Sequence, residues 1–170
     1  QEELAQSFNK RFGYDPAKLY FSPGRVNLIG EYTDFNGGHV FPAAISVGTY
    51  GAIAPRDDNQ IRTYSANYPE AGIQTITVTD LALRPYDTWI KYLRGVMTVM
   101  AEAGYPVSKG FDLAIVGDMP TASGLSSSAS LEILLLNMLK DMMGYQIDKL
   151  TIVKLGQAVE NDYLGLKTGI

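Results

Sequence analysis

Residues 125–143 are apolar on almost every face, and this constrains the fold more than any other segment of the chain. A surface helix carries a single apolar stripe, whereas a helix that is apolar all round is buried between other elements. Residues 111–116 have the pattern of a strand, and a loop of small residues joins them to the apolar segment. The sequence therefore predicts a strand–loop–helix unit whose helix is covered by other elements.

Shorter patterns precede this unit. Leu4, Phe8 and Phe12 recur every four residues, which predicts a helix over residues 2–12 that ends at Gly13. A Ser-Pro-Gly sequence separates two strand-like runs, and turn residues separate further strands at intervals of about ten, as in a meander. The predicted strands are residues 18–21, 25–29, 39–41, 47–54, 61–65 and 73–78.

Two further helices are predicted from their caps. Asp87 is the expected cap of a helix that ends at Gly104, and Asp148 is the expected cap of the last helix. That last helix would bury one face, formed by Ile152, Leu155, Val159 and Tyr163. The order of elements predicts an α+β fold in which helices are layered on a mixed β-sheet.

Composition narrows the class of protein. The 170 residues are 46% apolar and 19% charged, as in one globular domain over residues 1–170. The net charge is −4 and the sequence has no basic block, so it provides no cluster of positive charge that would bind nucleic acid or an anionic membrane. No cysteine is present, which excludes disulfides and agrees with a reducing cytoplasm. The sequence starts without Met and stops at Ile170, and we expect both ends to be cuts in a longer protein.

The loop at residues 117–124 and the helix after it form a candidate anion site. Backbone N–H groups at a helix start are free to bind phosphate, and the helix dipole favours negative charge there. Gly124 allows a close approach, while Ser126, Ser127 and Ser128 add hydroxyl groups, one of which can bind Mg²⁺. The Gly-Lys-Ser/Thr end of the usual P-loop is missing. The alternative is a serine-rich cap on a core helix.

A second polar cluster lies at residues 22–40. Glu31 and Asp34 are three residues apart in a turn-rich segment, where both can face one polyol ligand, and Arg25 is the permanent positive charge near them. A surface Arg–Glu ion pair is the alternative, but the apolar residues around the cluster favour a cleft. His39 is the single histidine, and without a metal-ligand spacing a structural role is favoured for it.

These two runs resemble motifs of a known family. Residues 23–38 read Pro-Gly-Arg-Val-Asn-Leu-Ile-Gly-Glu-Tyr-Thr-Asp-Phe-Asn-Gly-Gly, which closely resembles the galactokinase signature of the GHMP sugar and metabolite kinases. Residues 124–130 read Gly-Leu-Ser-Ser-Ser-Ala-Ser, which resembles the ATP-phosphate loop of that superfamily. The resemblance covers essentially the whole chain as the N-terminal half of such a kinase. It implies the GHMP-kinase N-terminal domain, of ribosomal-protein-like fold, and ATP-dependent phosphorylation of the anomeric hydroxyl of galactose.

The resemblance also implies roles for individual residues. Arg25 would activate the sugar or stabilise the transition state, and Ser128 and Glu160 would bind Mg²⁺. The remaining implied contacts are Glu31, Tyr32, Asp34 and Gly169 with the sugar, Gly124, Leu125, Ser126, Ser127 and Ser128 with the phosphates of ATP, and Trp89 and Tyr92 with the adenine. For the two aromatic residues, helix packing is an equal alternative.

The sequence departs from the family pattern at several points. Tyr32 stands where the family usually has His, which puts the contact with the primary alcohol of the sugar in doubt, and Phe35 stands where Tyr is commoner. The phosphate loop has fewer glycines than in many relatives. The aspartate expected as catalytic base would follow Ile170 after one intervening residue, so we expect the 170 residues alone to be inactive.

Three other functions remain open at this point. A galactose- and ATP-binding regulator would keep both sites without catalysis. A kinase for N-acetylgalactosamine or arabinose would differ at sugar contacts that lie partly beyond residue 170. A purely structural module would have no use for Arg25 and Glu160 in their expected places.

Overall fold

The computed structural model describes residues 1–30, 38–119 and 127–166. The chain starts with helix α1 (Glu2–Phe12) and continues with strands β1 (Lys18–Ile29), β2 (Phe41–Pro55), β3 (Gln60–Ser65) and β4 (Gln74–Thr77). A single 3-10 turn, Pro69–Ala71, lies between β3 and β4. The second part holds α2 (Ile90–Glu102), β5 (Phe111–Gly117), α3 (Ser127–Met143) and α4 (Lys149–Ala158), which continues into a π-helical turn (Val159–Tyr163). Within these described ranges, no helix has the length and apolarity needed to cross a membrane.

The five strands form one mixed sheet in the order β1-β2-β5-β3-β4. Strand β5 pairs antiparallel with β2 and parallel with β3, while β1–β2 and β3–β4 are antiparallel pairs. The predicted α+β fold with helices on a mixed sheet is confirmed. The predicted meander is wrong, because β5 inserts between β2 and β3. Five consecutive residues from the start of β5 are buried, so this strand takes the centre of the sheet, where both of its faces are covered.

Two strand boundaries also differ from the prediction. Residues 18–21 and 25–29 belong to one strand, β1, which passes through Ser-Pro-Gly with a register shift between Pro23 and Arg25. A proline is tolerated there because β1 is an edge strand, and the irregularity accommodates the missing N–H. Similarly, the runs at 39–41 and 47–54 are not separate, since β2 is continuous from Phe41 and pairs with β1.

The helix ends follow the predicted caps with one exception. The glycines after α1, α2 and α3 all adopt positive φ angles, and the Asp148 carboxylate accepts a hydrogen bond from the Thr151 N–H at 2.9 Å. Asp87 is not a helix cap, because α2 begins after Trp89 and has no side-chain cap. Instead, the Asp87 carboxylate lies 3.0 Å from Nε of Arg94, whose buried guanidinium needs an anionic partner.

The helices cover the two faces of the sheet unequally. On one face, α2, α3 and α4 build the main core with Phe111, Leu113 and Ile115 of β5. Alternate positions of the same strand, such as Ala114, face α1 and its residue Phe8. Helix α3 contacts β1, β2, α2 and α4, which confirms the prediction that the apolar helix is buried between other elements.

A buried carboxylate lies beneath the α1 face of the sheet. Asp112 of β5 is fully buried and accepts hydrogen bonds from Nε and Nη2 of Arg62 at 2.7 and 2.5 Å. Arg56 and the Tyr14 hydroxyl also donate to it. Burial by itself raises the pKa of Asp112, but the hydrogen bonds from Arg62 and Tyr14 outweigh it and hold the pKa below its ordinary value. Asp112 is therefore a buried charge that links Tyr14, just after α1, to the sheet.

Candidate active site

The centre of the site is a contact between two helices. Ser128, in the first turn of α3 as described, donates a hydrogen bond from Oγ to Oε1 of Glu160 at 2.5 Å. Glu160 is only 5% exposed and belongs to the π-helical turn that follows α4. Such turns are frequent at functional sites, and this one contains the carboxyl group that contacts Ser128. The structure thus brings together the two residues that the sequence predicted as a pair.

A second carboxyl group adjoins this pair. Glu132 lies one helical turn after Ser128 on α3 and is 1% exposed. Burial is the main cause that raises the pKa of Glu132 to about 9, and the charge of Glu160 and a hydrogen bond with it act in the same direction. The Glu132 carboxyl group is therefore protonated at neutral pH when no cation is bound.

The first of two cavities next to this centre has a volume of about 360 Å³. Arg25 of β1 lines it together with Pro42 of β2, and Glu132 and Glu160 are also among its lining residues. A guanidinium group and carboxyl groups therefore face one compartment, although they come from positions more than 100 residues apart. An apolar cavity with a few convergent polar groups is the usual form of a small-molecule site.

The second cavity, of about 680 Å³, is lined by Ser128. Ser127 of α3 also lines it, together with Tyr92 of α2 and Trp89, which directly precedes that helix. Trp89 is also part of the main core, so the predicted packing role is present, and it does not exclude contact with a ligand. Burial, followed by the charges of Glu132 and Glu160, raises the pKa of Tyr92.

Supporting hydrogen bonds hold the strand ends around the second cavity. The Asn67 side chain accepts from the Gly117 N–H at 2.7 Å and donates to the Gly117 carbonyl at 2.8 Å. The Asp118 carboxylate accepts from the Gly48 N–H at 2.6 Å. These bonds fix the chain where it leaves β5 and enters the candidate phosphate loop.

Several predicted site residues lie outside the described residues. They are Glu31, Tyr32 and Asp34 of the sugar cluster, Gly124, Leu125 and Ser126 of the phosphate loop, and Gly169. Their roles stay predictions. His39, for which a structural role was predicted, is exposed just before β2.

Sequence reasoning missed Glu132. Its position in the apolar helix made it one polar residue among many apolar ones. A usable signal was present, because a single acidic residue within residues 131–139 stands four positions after Ser128 and therefore on the same helix face.

The oxygen-rich centre suits a hard divalent cation. Mg²⁺ prefers oxygen ligands, and in kinases it typically takes one or two protein carboxylates together with phosphates and water. Among the residues that the structure describes, no three His, Cys, Asp or Glu side chains form a metal-binding group. Ser128 and Glu160 would therefore supply only part of such a coordination shell, and phosphate and water oxygens would supply the rest.

Comparison with known proteins agrees with this geometry. The galactokinase galactose-binding signature matches residues 6–55, and the GHMP kinases N terminal domain matches residues 91–170. The galactokinase of Levilactobacillus brevis is 53% identical over 167 residues, which are 98% of this chain and 43% of that protein. The galactokinase of Streptococcus mutans is 46% identical over 170 residues, 100% of this chain and 44% of that protein.

Solved structures show the same relation. The crystal structure of Lactococcus lactis galactokinase complexed with galactose has a TM-score of 0.94 and 44% identity, covering 99% of this chain and 44% of that one. Methanococcus jannaschii mevalonate kinase shares the fold, with a TM-score of 0.75 at 20% identity over 89% of this chain and 48% of that one. The chain thus spans less than half the length of the relatives it matches, and by sequence and fold it belongs to the galactokinase family of the GHMP kinases.

Proposed function

We propose that the protein containing this chain transfers the γ-phosphoryl group of ATP to the anomeric hydroxyl of galactose. The observation that carries this proposal is the Ser128–Glu160 contact between two cavities, one of which is lined by Arg25. Phosphoryl transfer needs a nucleotide and an acceptor on either side of one charge-stabilising centre. The relatives named above are galactokinases, and one of them was solved with galactose.

ATP is proposed to occupy the second cavity. Its phosphates would lie at the start of α3, where the helix dipole and the hydroxyl groups of Ser127 and Ser128 favour negative charge. The resemblance adds the backbone of residues 124–126 to this cradle. Trp89 and Tyr92 form the wall on which the adenine is proposed to lie.

Mg²⁺ is proposed to bind between Ser128 and Glu160, where it would neutralise phosphate charge during transfer. Ser128 supplies a hydroxyl oxygen and Glu160 a carboxylate, and both are already held at 2.5 Å in the protein. Because the Ser128–Glu160 hydrogen bond fixes both side chains, little further ordering of these two groups would be needed for Mg²⁺ to bind.

Arg25 is proposed to act on the reacting groups from the sugar side. Its fixed positive charge would stabilise negative charge on the phosphoryl group as the galactose oxygen bonds to phosphorus and ADP leaves. Glu31, Tyr32, Asp34 and Gly169 remain the proposed sugar contacts. Because the resemblance places the base that takes the hydroxyl proton just after Ile170, we propose that these 170 residues alone turn over little or no galactose.

A coupled assay of ADP release by the protein containing this chain tests the proposal. We expect galactose-dependent ADP formation, and a loss of about 100-fold or more in kcat for E160Q, because the charge at the centre is removed. E102Q, which changes an exposed acid at the end of α2, is the matched control and should retain the full rate.

Two results would contradict the proposal. Binding of ATP and galactose without ADP formation would instead support a non-catalytic regulator. A much higher kcat/KM for N-acetylgalactosamine or arabinose than for galactose would move the substrate to a related sugar.

A further inference from the structure

Glu132 has an oxygen atom that nothing in the described part of the protein satisfies. Its Oε1 is buried and has no hydrogen-bond partner there, although the residue is only 1% exposed. Buried polar atoms are nearly always paired, and an exception calls for a specific reason. The residues that flank it in sequence, Leu131 and Ile133, are apolar, so packing alone would favour leucine over a carboxyl group at this position.

The position of Glu132 supplies such a reason. It stands four residues after Ser128, which puts both side chains on one face of α3 at adjacent turns. On that face it adjoins Glu160, the partner of Ser128, and it lines the same cavity as Glu160. Three oxygen-bearing side chains from α3 and the π-helical turn thus converge on one place.

We infer that Glu132 is a further protein oxygen of the divalent-cation site, completing with Ser128 and Glu160 the set that binds Mg²⁺. This inference rests on the proposed function, since it deepens the same site. A second carboxylate increases the attraction for a divalent cation, and a bound cation gives the buried Oε1 the partner that the protein does not. Mg²⁺ commonly takes two carboxylates together with phosphates and water, so this set stays within its normal coordination.

Metal binding without catalysis is the direct test. The probe is Mn²⁺, titrated into the protein containing this chain in the presence of a saturating β,γ-imido analogue of ATP, with the enhancement of water-proton relaxation as the readout. We expect E132L, which removes both oxygens, to weaken Mn²⁺ binding about tenfold or more, as E160Q does. E132Q keeps one amide oxygen and should fall between E132L and the unchanged protein.

Controls separate a ligand from a structural residue. E102Q should bind Mn²⁺ like the unchanged protein, and E132L should still fold, because an apolar side chain of similar volume fits the buried position. Circular dichroism of E132L checks that point, and E132Q provides a second variant that keeps the shape of Glu132.

The outcomes for Glu132 and for the proposed function are distinguishable. If E160Q loses Mn²⁺ affinity while folded E132L and E132Q stay within twofold of the unchanged protein, Glu132 is not a ligand and this inference fails alone. If none of these variants changes Mn²⁺ affinity, the cation site itself is wrong. If the variants behave as expected but galactose elicits no ADP release, the proposed activity fails and the metal site stands.

Discussion

The buried carboxyl group of Glu132 should make the metal-free protein less stable as the pH rises. Its pKa is raised from an ordinary value of 4.5 to about 9, chiefly by burial and further by Glu160. A raised pKa means that the folded state holds a proton that the unfolded chain releases. The resulting stability is therefore fully present below pH 4.5 and is lost as the pH rises towards about 9.

The size of the effect follows from this interval. Each pH unit between the two pKa values changes the free energy of unfolding by a little over 1 kcal/mol, so that moving from pH 6 to pH 8 removes roughly 3 kcal/mol through this one group. The conversion applies because Glu132 is 1% exposed and little screened by solvent. E132Q carries no titratable proton, so its stability relative to the unchanged protein should grow by that amount over the same range.

Urea denaturation in EDTA, at pH 6 and at pH 8, measures this difference. Other ionisable groups titrate in both proteins, and subtraction removes most of their contribution. E102Q alters an exposed carboxyl group. Its free energy of unfolding should stay within about 0.5 kcal/mol of that of the unchanged protein at both pH values. The reasoning is refuted if the gap between E132Q and the unchanged protein is the same at pH 6 and pH 8.

Three further changes test the fold around the site. D112N should lower the free energy of unfolding by about 3 kcal/mol, the lower end for a broken buried ion pair, since Arg56 and Arg62 are 21% and 28% exposed; an unchanged urea midpoint would contradict it. F8A should cost about 3–5 kcal/mol in the same assay, because Phe8 is fully buried between α1 and the sheet, and a cost below 1 kcal/mol would mean that α1 is not docked there. D148A should cost about 1 kcal/mol through loss of the α4 cap, with Q6A, on exposed α1 surface, expected to change little.

Local patterns predicted the elements, whereas pairing depended on the whole chain. The four-residue spacing of Leu4, Phe8 and Phe12 predicted α1, and the capping residue Asp148 predicted the start of α4. No short segment of the sequence predicts that β5 lies between β2 and β3. That position depends on which strand is apolar enough to be buried on both faces, and this can be judged only by comparing all five strands. Asp87 shows the same limit, since its carboxylate serves the distant Arg94 rather than the adjacent helix end.

The candidate site shows a similar division. Ser128 and Glu160 were predicted from motif positions to bind Mg²⁺. The structure places the two side chains in contact, and their role as ligands stays a prediction. The change from α- to π-helical hydrogen bonding at Val159 was not predicted, because the apolar face continues through it without interruption. Glu132 was overlooked because its burial next to Glu160 cannot be read from the sequence, although its spacing of four residues from Ser128 can.

One buried hydroxyl group connects the two sides of the site. Ser130 of α3 donates a hydrogen bond to the Ser22 carbonyl at 2.7 Å and lies 3.1 Å from the Thr49 hydroxyl, so α3 is tied to β1 and β2 where those strands pair. Ser22 precedes Arg25 by three residues at the register shift of β1, and Ser130 follows Ser128 by two. This contact inside the core therefore helps to fix the position of Arg25 relative to Ser128 and Glu160. Charged groups from distant parts of the sequence thus come together at one place, where Ser128 and Glu160 are in hydrogen-bond contact.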